Sequence, residues 1–331
     1  MPYVPHTDED RRQMLRTLGL SSLDDLFRCV PEEIRLSRPL DVPPGRSEAD
    51  IVRGLGELAA RNSRMDDRPS FLGAGIYRRF IPAAVDAVAS RGEFSTAYTP
   101  YQAEVSQGTL QAIMEYQTMI ARLTAMDISN ASLYDGATAL AEAVLMAYAA
   151  QRRGDRVVIS EGVHPEYRRV LETYLRNHPL RLASAPLRDG RTQAPDLEKA
   201  LSEAPGEVVA IVVQNPNFFG FVEDLAATDG VLSKMGDARP FFICVADPVS
   251  LGILDPPGAH GADVVVGEGQ QLGNPPSFGG PSFGFFATRM AHVRKVPGRI
   301  VGETRDRDGR RGYVLTFQTR EQHIRRERAT S

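Results

Sequence analysis

Leu110, Ile113, Met114, Ile120 and Ala121 recur at helical spacing, with Gln117 on the same stripe. That period predicts an amphipathic helix after the loop Tyr98-Thr99-Pro100-Tyr101-Gln102. A glycine turn then opens a second, alanine-rich helix at Gly136. Further on the pattern changes to short apolar runs at 156–160, 180–185, 208–213, 241–246, 262–267 and 283–287. Helical segments are predicted between them at 164–177, 196–203 and about 225–234, the last interrupted by Gly230. Unbroken apolar strands are buried on both faces, and strands alternating with helices from residue 66 onward predict an α/β domain around a mostly parallel sheet.

The first 65 residues follow a different rule. Cap residues at Thr7, Ser21-Ser22 and Ser47 start short helices, the first running to Leu18 and the last ending near Asn62. Proline and glycine punctuate the gaps, as at Arg38-Pro39 and Pro43-Pro44-Gly45. Residues 1–65 are therefore expected as a helical arm too small to hold its own core, and 66–331 as a large α/β domain.

Composition adds exclusions. Hydrophobic residues make up 42% and charged residues 24% of 331, an ordinary balance for a globular chain. A net charge of -3 argues against a nucleic-acid partner held through phosphates. The arginines at 305–311 and 325–328 are interleaved with acids and read as a solvated face. Two cysteines, Cys29 and Cys244, cannot make a disulfide framework, and packing is expected for both. The polar N-terminus has no signal-peptide pattern, and no apolar run approaches the ~18 residues a membrane span needs. A cytoplasmic location is expected. There is no Walker A loop, GxGxxG fingerprint, GxSxG elbow or metal-type Cys/His cluster.

The run Tyr134-Asp135-Gly136-Ala137-Thr138 has the form of an anion site at a helix N-terminus. It equally has the form of a simple cap, with Asp135 accepting the N–H groups of its own helix. Gln214-Asn215-Pro216-Asn217 and Asp247-Pro248 close two of the apolar strands, where open α/β sheets bind ligands.

The stretch YTPYQAEVSQGTLQ…YQTMIARLTAMDISNASLYDGATALAEA resembles the glycine cleavage system P-protein, and more narrowly subunit 1 (alpha) of its two-chain form. MLRTLGLSSLDDLFRCVPEEIRL, IVVQNPNFFGFVED and the segment from Gly298 to Ser331 extend the resemblance over nearly the whole chain. It implies the pyridoxal-phosphate-dependent transferase fold of the aspartate aminotransferase type, fold type I. In that fold the three strand-end places hold the cofactor's phosphate, ring hydroxyl and ring nitrogen. The family continues past RRERATS into a small C-terminal domain, which this sequence does not include.

A pyridoxal enzyme needs a tuned lysine near its ring. This chain has Lys199, Lys234 and Lys295, none following a buried strand. Where the family's catalytic subunit places its lysine, after ADVVVG, stand Glu268-Gly269-Gln270-Gln271, with Gln271, or Gln270 given a small gap, in the lysine's place. A phosphate ~4 Å from Asp135 would be repelled by ~4 kcal/mol per pair of unit charges at an effective dielectric of 20, whereas a cap gains ~1 kcal/mol. The expected reading is a degenerate cofactor pocket formed by Tyr134, Asp135, Gly136, Thr138, Asn215, Asp247, Gln270 and Gln271.

The resemblance then implies a hetero-oligomer in which subunit 2 (beta) binds pyridoxal phosphate and supplies the lysine. That assembly decarboxylates glycine and passes the aminomethyl group to lipoylated H-protein. Candidates for reaching the partner's site are Tyr98, Tyr101, Gln102, Glu104, Ser106 and Gln107, with packing as the alternative for the tyrosines. The loop 274–282 is either such a contributor or a structural turn. Competing readings are an inert scaffold or regulatory pseudoenzyme of the same fold, and an autonomous pyridoxal enzyme, against which the lysines argue.

Overall fold

A computed structural model describes residues 5–64, 67–95, 99–151, 153–203 and 207–317. The chain divides into a unit ending at Ser70 and a unit beginning at Phe71. In the first, α1 (Asp8–Leu18) begins with a capping box between Thr7 and Asp10, and α2 (Glu48–Ala59) is capped by Ser47. Single 3-10 turns at Leu23–Phe27 and Glu32–Ile34 lie between them. Neither α1 nor α2 buries a residue. Cys29, expected to be packed, is exposed, because this segment offers no core to pack into.

The second unit opens with α3 (Ala83–Ala89) and the single turn α4 (Gly92–Ser95). No strand occurs among the described residues from 71 to 106, so the expected strand–helix alternation starts later than residue 66. The long α5 (Gln107–Thr124) leads into β1 (Ile128–Ser129), and α6 (Gly136–Gln151) into β2 (Arg156–Ser160). Then follow α7 (Pro165–Leu175), β3 (Arg181–Ala185), α8 (Ala194–Glu203), β4 (Val208–Asn215), α9 (Leu225–Ser233), β5 (Phe241–Ala246), β6 (Val264–Glu268) and β7 (Gly284–Thr288).

These seven strands form one sheet in the order β1-β7-β6-β5-β4-β2-β3. It is parallel except at β7, which runs antiparallel to both β1 and β6. Successive residues of a strand face opposite sides. On β5, Phe241, Ile243 and Val245 join the core beneath α6 and α7, with Leu140, Val144 and Leu171. Phe242, Cys244 and Ala246 join the opposite core, with Ile120, Leu197 and Leu232. Two-sided burial is why these strands read as unbroken apolar runs.

The hairpin β8 (Ile300–Arg305) and β9 (Arg311–Thr316) stands apart as a two-stranded sheet. Its Val301, Tyr313 and Leu315 pack on Leu110 of α5. Both outer edges are closed by glutamines of α5. Gln117 exchanges two hydrogen bonds with Val301, at 3.0 and 2.9 Å, and Gln107 does the same with Tyr313, at 2.9 and 2.9 Å. Each carboxamide takes the place a neighbouring strand's peptide would occupy.

Candidate functional site

The site grows from the N-terminus of α6, where the first backbone N–H groups have no partner within the helix. Asp135 Oδ1 accepts the Thr138 N–H at 2.7 Å, and Thr138 Oγ1 accepts the Asp135 N–H at 3.1 Å. This reciprocal cap settles the local alternative. A second carboxylate completes it. Glu268, at the end of β6, accepts the Gly136 N–H with Oε2 at 3.0 Å and the Gln270 and Phe283 N–H groups with Oε1 at 3.0 and 3.2 Å. A Cβ on Gly136 would sit 2.2 Å from the Tyr167 hydroxyl and 2.8 Å from the Glu268 nitrogen. Only glycine lets the helix end approach this closely.

Around this junction lies a cavity of about 400 Å³ at the carboxyl ends of β4, β5 and β6. Its walls include Tyr77, His164, Tyr167, Phe218 and Phe219, with Gln214, Asn217, Asp247, Glu268 and Gln271 among the polar groups. His164 caps α7, its Nδ1 accepting the Glu166 N–H, and its Nε2 donates to the Ala74 carbonyl at 2.9 Å. Gln214 Oε1 accepts the His164 N–H at 2.8 Å. The His164 and Tyr167 rings stack at 5.1 Å, and Phe218 meets His164 edge-on at 4.8 Å. Gly75, at φ +90, crosses so near His164 that a Cβ there would lie 2.8 Å from Nε2.

Burial is the main cause raising the Glu268 carboxyl above its ordinary 4.5; its three backbone donors oppose the rise and Asp135 adds to it. Burial likewise raises the Tyr167 phenol, with Glu268 and Asp135 adding to it. Asp247 Oδ1 accepts the Val249 and Ser250 N–H groups, and Oδ2 lies 3.6 Å from the Arg79 guanidinium.

The family model of the glycine cleavage system P-protein matches residues 1–331. The chain belongs to the P-protein family. It is 51% identical to a Carboxydothermus hydrogenoformans protein named "Probable glycine dehydrogenase (decarboxylating) subunit 1", covering 100% of this chain and 73% of the relative. A crystal structure of glycine decarboxylase (P-protein) of the glycine cleavage system, in inhibitor-bound form, superposes with a TM-score of 0.85 at 51% identity, over 100% of this chain and 72% of the other. A Burkholderia pseudomallei sphingosine-1-phosphate lyase shares only the fold, at a TM-score of 0.55 and 13% identity, over 87% of this chain and 68% of its own. The architecture is the type I pyridoxal-phosphate-dependent transferase fold.

In this P-protein chain the residues at the strand ends do not fit pyridoxal phosphate. The helix terminus that would receive a phosphate already holds two carboxylates. Lys199 and Lys234 are exposed and paired with Glu203 and Glu198, Lys295 is exposed on another segment, and none of the three lines the cavity. Among the described residues no group of three or more His, Cys, Asp or Glu could hold a metal ion. No described helix is long and apolar enough to cross a membrane.

Of the residues singled out in sequence, Asp247 and Gln271 line the cavity, and Asp135, Gly136 and Thr138 form the helix end behind Glu268. Tyr134 is 71% exposed and does not line it. Asn215 is buried, its Oδ1 accepting the Glu223 N–H at 3.0 Å. Gln270 donates to the Asn274 carbonyl, while its Oε1 is buried without a partner.

None of residues 99–107 lines the cavity. Tyr101 stacks under Arg299, whose Nη2 donates to its hydroxyl at 3.4 Å. Gln102 and Glu104 are exposed, Ser106 is half-buried ahead of α5, and the Gln107 amide is taken up by Tyr313. Tyr98 lies outside the described residues. Tyr77, His164, Tyr167, Phe218, Phe219 and Glu268 were not anticipated as cavity residues. Glu268 alone had a readable signal, a carboxylate ending an otherwise apolar strand.

Proposed function

We propose that this chain is the subunit of a two-chain glycine decarboxylase that lacks the cofactor lysine, working with a subunit 2 that holds pyridoxal phosphate. The observation behind this reading is Glu268, whose carboxylate occupies the α6 N-terminus while Gln271 stands beside it in the cavity. A chain so arranged has neither an amine for the aldehyde nor a vacant seat for the phosphate. The assembled reaction is glycine plus lipoyl-H-protein to aminomethyl-dihydrolipoyl-H-protein plus CO2. The cofactor, held by the partner, supplies the electron sink for decarboxylation.

The contribution of this chain is then positional. Tyr101, with Gln102, Glu104 and Ser106 after it, is offered to the partner's site, and Tyr98 belongs to the same stretch. Gln107 holds the start of α5 against β9 and so fixes where that stretch leaves the body of the domain. A cytoplasmic hetero-oligomer is the corresponding form of the enzyme.

The test is co-purification with subunit 2, followed by glycine decarboxylation with lipoylated H-protein. Activity should require both chains, and this chain alone should show no pyridoxal absorption band after gel filtration. Full activity of subunit 2 by itself would replace this reading with an inert scaffold. A stoichiometric band on this chain would replace it with an autonomous enzyme.

A further inference from the structure

The contribution proposed for this chain runs through Tyr101, so what holds that side chain matters. Tyr101 is 47% exposed and lies in a stretch with neither helix nor strand. Exposed side chains so placed ordinarily flip between rotamers. Here the Arg299 guanidinium lies over the Tyr101 ring, 5.8 Å from its centre, and Nη2 donates to the hydroxyl at 3.4 Å. The two residues are 198 positions apart in sequence.

Arg299 stands on a rigid base. Just before it, the Pro297 carbonyl accepts from Nδ2 of the fully buried Asn130 at 3.0 Å. The Arg299 carbonyl accepts the Ala131 N–H at 2.8 Å. Ile300 belongs to the main core, and Val301 is tied to Gln117. The backbone is thus fixed on both sides of Arg299 while its side chain is exposed. An arginine that met only solvent would keep the rotamer freedom that stacking takes away.

The far end of the same stretch is held as well. Ala103 packs on the hairpin core, and Gln107 Nε2 donates to the Ala103 carbonyl at 2.7 Å and to the Tyr313 carbonyl at 2.9 Å. Residues 101–103 are therefore gripped from the foot of β8 and from the start of α5. A guanidinium offers a flat face to the ring and N–H groups at its edge, whereas a lysine ammonium has no flat face.

We propose that Arg299 is a positioning residue for glycine decarboxylation, fixing the orientation in which Tyr101 is presented to the site of subunit 2. This role rests on the reading that the Tyr101 stretch reaches that site.

Two measurements test it. Hydrogen exchange on the whole chain alone compares the parent with Arg299→Met, which keeps the stem and removes the guanidinium. Peptides spanning 101–106 should exchange about threefold faster or more, while those of β8 and β9 stay unchanged. Steady-state decarboxylation then uses saturating subunit 2 and lipoylated H-protein, so that a loss does not report failed assembly. In Arg299→Met, kcat should fall about fivefold or more, with the glycine KM within about twofold of the parent, because orientation rather than glycine binding is lost. Arg299→Lys keeps the charge without the planar fork and should lose most of the same factor. Arg299→Met combined with Tyr101→Leu should be no slower than the worse single variant, since the pair acts as a unit. Both side chains are exposed, so these variants should fold as the parent does.

Unchanged exchange at 101–106 overturns the proposal, because the stretch would then be held without Arg299. An unchanged kcat in Arg299→Met overturns it too, as does full kcat in Arg299→Lys, which would make charge rather than orientation the cause. Losses that multiply in the double variant would also overturn it. Each of these outcomes leaves the two-chain reading standing. That reading fails instead if subunit 2 is fully active without the parent chain.

Discussion

Glu268 Oε2 accepts the Gly136 N–H at 3.0 Å, joining the end of β6 to the start of α6 across 132 residues of sequence. This bond places a carboxylate where the helix dipole favours an anion. The same junction brings Tyr167 and the Glu268 backbone against the bare Cα of Gly136.

Gly136→Ala should therefore destabilise the domain by ~1–3 kcal/mol, the usual cost of forcing a methyl into filled space. Tyr167→Phe removes the nearest clashing atom. The double variant should accordingly lose less than the two single losses added together. Urea unfolding of the four proteins measures this, and strict additivity would contradict the contact.

Stability should also depend on pH through Glu268. Its folded-state carboxyl is raised above 4.5, mainly by burial. The native state then holds that proton more tightly than the unfolded chain does. The contribution is present below 4.5 and is lost as pH rises through the folded value. Relative to Glu268→Gln, the parent should gain stability on acidification across this window. A constant difference between the two proteins from pH 4 to 7 would show that Glu268 has no shifted carboxyl.

Gln117 is 6% exposed and satisfies both the N–H and the C=O of Val301, itself 2% exposed. Gln117→Leu keeps the shape and leaves both backbone groups unmatched, a loss of ~2–4 kcal/mol. Gln107 is exposed, so water can replace it, and Gln107→Leu should cost ~1 kcal/mol or less. Denaturant midpoints compare the pair, and equal losses would mean that burial does not set the cost.

Gln271→Lys places an amine in the cavity lined by Glu268 and Asp247. It should still fail to retain pyridoxal phosphate stoichiometrically after gel filtration, because Asp135 and Glu268 hold the α6 terminus. Retention at one equivalent, read from the absorption band, would show that the two carboxylates yield to a phosphate.

The sheet was legible in the sequence because its strands are buried on both faces. Val208 to Val213 and Phe241 to Ala246 leave no polar position to blur the pattern, and both are strands. Boundaries moved by one to three residues where caps decide them: α7 begins at Pro165 because the His164 side chain accepts the Glu166 N–H. The hairpin of β8 and β9 was not legible. Its edges are closed by Gln117 and Gln107, about two hundred residues away, and its alternation is broken by Gly302 and Gly312.

Much of the chemistry was already settled by residue identity. The three lysines, the glutamines after ADVVVG and the cap at Asp135 are local facts, and no folding can turn an amide into an amine. Folding alone decided that Glu268, Tyr167 and Gly136, distant in sequence, share one junction. It also placed Tyr134 in the open and gathered Tyr77, His164 and Phe218 into a cavity wall. The physical reason is that a helix end and a strand end meet only through the crossover between them. Which carboxylate satisfies the unpaired N–H groups depends on strand order, and strand order has no signature in the neighbouring residues.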